Sequence, residues 1–175
     1  MKPTMILETP RLILRRHGVQ DHPWLQHLFA DPAVMRHAFA GHPFTEAETR
    51  AFLDAYGARP DEAHGIGVIV ARDTGSLLGV AGLLPCDALG EDDVELGFVL
   101  ATAAQGRGYA QEIGRAQIDH AFSAFGKSRV LALASPHNQA SLKALERLGM
   151  QPFGEVESPQ RGPRLVRVAF RPQAA

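Results

Sequence analysis

The stretch from Val94 to Ala121 constrains the fold most. Val94-Glu95-Leu96-Gly97-Phe98-Val99-Leu100 has the apolar, β-favouring character of a strand. Gln105-Gly106-Arg107-Gly108-Tyr109-Ala110 follows, and then a long run at helical spacing. Strand, glycine-bearing turn and helix in this order leave the first N–H groups of the helix outward and without intrahelical partners. Two glycines let an anion approach the backbone closely, and the helix dipole favours negative charge at the same place. The pattern predicts a phosphate or pyrophosphate seat at the start of this helix.

A dinucleotide-binding reading of Gly106-Arg107-Gly108 fits poorly. Gln111 stands where the third glycine would be, and no acidic residue falls convincingly at the ribose position. The unit also follows a meander in mid-chain and does not open a series of βαβ units.

Before this unit, Arg11 to Arg16 reads as a strand, and Asp21-His22-Pro23 as the start of a helix that Pro32 breaks at Ala30. His37 to Phe44 reads as a loop with an apolar side. Thr45-Glu46-Ala47-Glu48 is a capping box, opening a helix expected to turn Ala51, Phe52, Ala55 and Tyr56 inward. Residues 66–71 and 77–84 form a hairpin pattern, and Val94 to Leu100 is the third strand of that meander. After the helix from about Arg107 to Phe125, Arg129 to Ala134 should run parallel to the preceding strand through a right-handed crossover. Small residues at Ala110 and Gly114 should let the helix sit close to the sheet. A helix from Asn138 to Leu148 and two last strands, 150–156 and 164–170, complete the chain.

The length suits one domain, residues 1–175. A net charge of −1 leaves no basic footprint for nucleic acid. No apolar run is long enough to span a membrane. Met5-Ile6-Leu7, closed by Glu8, is too short for a signal peptide. The single cysteine, Cys86, cannot form an intrachain disulfide, and no Cys/His metal spacing appears. A cytoplasmic protein with no metal, nucleic-acid or membrane partner is expected.

Four blocks in order resemble the GNAT superfamily of N-acetyltransferases, most of all its bacterial ribosomal-protein N-terminal branch. They are Thr9-Pro10-Arg11-Leu12-Ile13-Leu14-Arg15, Glu95 to Leu100, Gln105 to Ala110, and Asn138-Gln139-Ala140-Ser141 with Leu145 to Met150. The resemblance implies a mixed α/β (α+β) acyl-CoA N-acyltransferase fold. Its sheet is mixed and mostly antiparallel, of about seven strands, with a splayed central parallel pair and flanking helices.

The resemblance further implies acetyl-CoA as co-substrate. Gly106, Arg107, Gly108, Tyr109 and Ala110 would hold the pyrophosphate through backbone N–H groups, with Gln105 closing the turn. Phe98, Val99 and Leu100 would offer backbone groups to the pantetheine arm, and an N–H of Phe98 or Val99 could hold the oxyanion. Asn138 would touch the cofactor from the far side. Many relatives use a tyrosine as acid where this chain has Leu145, so the serine of the ribosomal-protein branch, Ser141 here, takes that place. Glu95 is the candidate base, acting through water. The alternative for Glu95 is an ion pair on the sheet, and for Ser141 a bond to a helix carbonyl. The acceptor would be a small-molecule amine or a peptide or protein N-terminus, with His37, His42 and Phe44 in the loop that shapes its pocket. An acyl-CoA sensor of the same fold is the alternative to an enzyme. The terminal hairpin leaves strands on which a homodimer could pair.

Overall fold

The computed structural model describes residues 4–60, 62 and 64–175. Its strands are β1 (Met5–Glu8), β2 (Leu12–Arg15), β3 (Gly65–Ala71), β4 (Leu77–Cys86), β5 (Asp93–Leu100), β6 (Arg129–Ala134), β7 (Gln151–Ser158) and β8 (Gly162–Phe170). They form one eight-stranded sheet in the order β1-β2-β3-β4-β5-β6-β8-β7. Every neighbouring pair is antiparallel except β5 with β6, which are parallel. The sheet therefore has one strand more than the sequence suggests. The extra one, β1, is four residues long with partly exposed side chains, too short for an alternating pattern to show.

The helices are α1 (His22–Ala30), α2 (Pro32–Met35), α3 (Glu46–Tyr56), α4 (Tyr109–Ser123) and α5 (Gln139–Arg147). Pro32 ends α1 as expected, and it also opens α2, where Asp31 accepts from the N–H of Ala33 at 2.9 Å. Thr45 and Glu48 form the expected capping box at the start of α3. The inward face of α3 differs from the expectation. Thr49 and Leu53 are buried and Phe52 is half-buried, while Ala51, Ala55 and Tyr56 face solvent. Leu53 and Phe52 join an aromatic cluster with Phe29, Phe39 and Phe44, and that packing sets the phase of the helix.

One face of the sheet is covered by α4 and α5, whose Ile118, Ala121, Leu145 and Leu148 pack on Val94, Leu96, Val130 and Ala132. The other face is covered by α1 to α3 through Leu25, Phe29, Met35 and Leu53 on Val68 and Val80. Burying each such side chain contributes about 1.5–3 kcal/mol. Gly114 serves the gap between α4 and α5 and not the approach to the sheet. A Cβ there would lie 2.6 Å from Cδ1 of Leu148.

Candidate active site

The two central strands part where a ligand could enter. β5 and β6 share one register pair, Glu95 with Leu131. Toward their carboxyl ends β5 stays paired with β4 and β6 with β8, but not with each other. The backbone of residues 96–100 thus has a strand neighbour on one side only. Glu95 marks the apex of this wedge. Leu100, at its mouth, is five residues away, roughly 16 Å at the rise of a strand.

The glycine turn follows at the mouth. Gly106 and Gly108 have φ of +73° and +79°, in the left-handed region that favours glycine. Gly108 is the N-cap of α4, so the helix starts two residues later than the sequence pattern placed it. Among the described residues, no backbone carbonyl accepts the N–H of Gly106, Arg107 or Gly108, and the first bond of the helix runs from Glu112 to the carbonyl of Gly108. The N–H groups of Tyr109, Ala110 and Gln111 lie in the unpaired first turn. Gln105 donates from Nε2 to the carbonyl of Leu100 at 3.2 Å, which closes the turn onto the end of β5.

A strap that the sequence reading did not single out fixes this turn from behind. The carboxylate of Glu112, in the first turn of α4, accepts from Oγ1 of Thr9 at 2.6 Å, from the N–H of Arg11 at 2.8 Å and from Nε of Arg11 at 2.6 Å. Nη1 of Arg11 donates to the carbonyl of Arg107 at 2.9 Å, and its guanidinium lies 4.7 Å from the centre of the Tyr109 ring. Burial would raise the pKa of Glu112, but the hydrogen bonds from Thr9 and Arg11 outweigh it and hold the carboxyl below its ordinary value. The Thr9-Pro10-Arg11 block signals the strap in the sequence. Its partner, about a hundred residues away, does not show there.

On the far side of the wedge, Asn138 caps α5, accepting from the N–H of Ser141 at 3.2 Å. The hydroxyl of Ser141 has no partner among the described residues, so it is not spent on a helix carbonyl. α5 is clamped to α4 by Gln111, which donates to the carbonyl of Ala144 at 2.7 Å, and by Arg115, which donates to that of Leu148 at 2.6 Å. Leu145, at the position of the relatives' tyrosine, is buried in the core.

Glu95 points to the opposite face of the sheet from Val94 and Leu96. Its register neighbour on β4 is Leu84, and the next pairs are Gly97 with Gly82 and Val99 with Val80. Gly97 leaves a bare patch of floor, where a Cβ would meet nothing closer than 3.9 Å, whereas a Cβ on Gly82 would strike the carbonyl oxygen of Gly65 on β3. Arg161, in the β7–β8 turn, reaches Glu95 at 3.3 and 3.4 Å. The sheet ion pair weighed for Glu95 is therefore formed. Half-buried Trp24 and Phe39 pack in the same apolar cluster as Leu84 and Val99. Phe44 is buried in that cluster, while His42 is exposed and lies 2.9 Å from the carbonyl of its neighbour Pro43. Burial raises the pKa of the half-buried Cys86 thiol, which disfavours its thiolate. Among the described residues, no group of three or more His, Cys, Asp or Glu is placed to hold a metal ion, and no helix is long and apolar enough to cross a membrane. A cavity of about 210 Å³ beside Gln117, His120 and Phe125 includes no residue of the turn.

Open amides at a glycine turn and a one-sided strand edge suit a ligand with a phosphate end and an extended arm. The family comparison agrees. Residues 11–151 match the model of the acetyltransferase (GNAT) domain. The chain belongs to the GNAT acetyltransferase family. As a GNAT protein it is an acetyl-CoA-dependent acetyltransferase. It is 33% identical over 147 residues to the uncharacterized protein YkkB of Bacillus subtilis, covering 82% of this chain and 84% of that one. An acetyltransferase structure from Agrobacterium tumefaciens superposes with a TM-score of 0.79 at 27% identity, covering 98% of this chain and 96% of that one. The spermidine N-acetyltransferase of Vibrio cholerae, solved with CoA and spermine, shares the fold with a TM-score of 0.74 at 17% identity, covering 93% of this chain and 96% of that one.

Proposed function

We propose that this GNAT protein acetylates a primary amine bound on the Glu95 face of the sheet, with acetyl-CoA entering from the turn. The observation that carries the reading is the single register pair of β5 and β6, opening beside a glycine turn whose amides meet no backbone acceptor among the described residues. When bound, acetyl-CoA supplies an activated thioester.

The residues divide the work. Amides of Gly106 to Ala110 bind the pyrophosphate, with the start of α4 favouring its charge. Backbone groups of Phe98, Val99 and Leu100 guide the extended arm along the edge of β5. An N–H of Phe98 or Val99 donates to the carbonyl oxygen as negative charge develops there. Asn138, fixed as the cap of α5, contacts the cofactor with its remaining amide group. Ser141, whose hydroxyl is uncommitted, donates a hydrogen bond to the departing sulfur. Glu95 orients the amine and takes its proton through water. Arg161 bonds to the same carboxylate and fixes the direction in which Glu95 faces the amine.

The acceptor is a small amine or, as the ribosomal-protein branch implies, the α-amine of a peptide. The test is incubation with acetyl-CoA and polyamines, aminoglycosides, free amino acids and short peptides, following thiol release. Release that depends on an amine is expected. CoA binding with no turnover on any amine would favour a sensor.

A further inference from the structure

The face of the sheet that carries Glu95 also holds a charge without a partner. Arg164 on β8 is 8% exposed. It shares a strand face with Val166 and Val168, whose apolar cluster includes Cys86 and Leu133. That places it on the side away from α4, remote from a phosphate at the glycine turn. Its Nε is sealed from solvent without an acceptor. Among the described residues, nothing accepts from its terminal nitrogens either.

Other well-covered arginines in this molecule are treated differently. Arg15 grips Asp21 at 2.8 and 2.9 Å, and Arg129 grips Asp93 at 2.8 and 2.7 Å. Glu95 is engaged by Arg161. Burial and repulsion from Arg161 both push the pKa of Arg164 down, and Glu95 pulls it up. A guanidinium keeps its proton, so one whose Nε is sealed without an acceptor, and whose terminal nitrogens find no acceptor among the described residues, favours an anion beside it. Its planar fork fits a carboxylate.

We propose that Arg164, assisted by Arg161, binds a carboxylate of the acceptor, and that the acceptor is a small apolar amine bearing that carboxylate. This rests on the acetyltransfer reading above and narrows its substrate class. Locally, Arg161 and Arg164 set two positive charges against the one negative charge of Glu95, while Arg129 further along the face is matched by Asp93. The local positive excess matches the reactive form of such an acceptor, a neutral amine with one carboxylate. A polyamine would meet the wrong sign. Leu84 and Val99, packed with Trp24 and Phe39, supply an apolar wall beside the charges.

The test compares acids with their amides on the full chain with acetyl-CoA: leucine against leucinamide, and phenylalanine against phenylalaninamide. Spermidine and a short peptide amide complete the set. The acids should show kcat/KM at least about tenfold higher than the amides. Arg164→Met should bring acid and amide to similar values. Its CoA affinity reports whether it folds, and if it does not, the wild-type comparison still decides. A second readout needs no turnover. The oxo acid 4-methyl-2-oxopentanoate should raise the Tm of the CoA-bound protein, and 4-methylpentanamide should not. Amides used as well as acids, or no shift with the oxo acid, overturns the proposal. Acetylation of spermidine or the peptide amide without any acid preference overturns it too, while leaving acetyl transfer standing. Absence of CoA binding would instead remove the reading beneath it.

Discussion

Glu112 and Arg11 are joined twice, through the backbone N–H of Arg11 at 2.8 Å and its Nε at 2.6 Å. The pair ties the start of β2 to the first turn of α4, and Arg11 then holds the carbonyl of Arg107 in the glycine turn. The amides that face a phosphate are thus braced by a side chain on another strand. Glu112→Gln keeps the shape but loses the charge and one strong acceptor. Because Arg11 is half exposed, solvent discounts the pair to about 1 kcal/mol. We predict that CoA binds about fivefold more weakly to Glu112→Gln by calorimetry. Equal affinity would show that the turn holds its shape without the strap.

Acid should destabilise the fold in two stages. Burial lowers the pKa of His17, with His22 adding to the effect, and burial lowers that of His120. The unfolded chain takes up these protons near pH 6.5 and the folded chain does not, so stability falls as the pH drops below about 7. Glu112 and Asp21 also have lowered values. For each, burial pulls upward and is outweighed, for Asp21 by hydrogen bonds from Arg15 and Gly18. Their stabilisation is present above the unfolded carboxyl values and is lost as the pH falls through the folded ones, below about 4. Tm measured against pH should show both losses, and Glu112→Gln should shrink the second. A Tm that rises on acidification would contradict these environments.

The contact between Gly114 and Leu148 sets the spacing of α4 and α5. A side chain at 114 meets Leu148 within 3 Å. Gly114→Val should therefore cost about 2 kcal/mol through overpacking, seen as a fall in Tm of about 4–8 °C. An unchanged Tm would mean that α5 shifts freely, and that the clamps from Gln111 and Arg115 do not fix it.

Ser141 bears on the chemical step alone. Its hydroxyl has no bond to lose among the described residues, so Ser141→Ala should leave Tm and CoA affinity where they are. We predict that kcat falls by about tenfold on whichever amine is the acceptor. Full activity would remove Ser141 from the reaction.

The strand–turn–helix centre was legible because its signals are local: apolar alternation, two glycines and a helical stripe within thirty residues. The parallel crossover to β6 followed from the helix between the strands, and the structure has it. What escaped the sequence is set by distant contacts. The phase of α3 depends on Phe29 and Phe44, which no local periodicity reveals. The splay of β5 from β6 came from family resemblance, since strand sequences do not state where pairing stops. The Glu112 strap joins residues about a hundred positions apart. Arg164 shows in the sequence only as a charge within an alternating apolar run. Its missing partner is visible once the hairpin is folded.

The central claim is that the glycine turn seats the pyrophosphate of CoA, and titration of CoA into the wild-type chain and Gly108→Glu tests it most directly. Gly108 has a φ of +79°, and a Cβ there would lie 3.3 Å from Nη2 of Arg11. Glutamate at this position costs about 1–2 kcal/mol of backbone strain and sets a negative charge where the phosphates would sit. The wild type should bind CoA saturably at one site, and the variant, folded by circular dichroism, should show no measurable binding. A folded variant that binds CoA as tightly as the wild type would contradict the account.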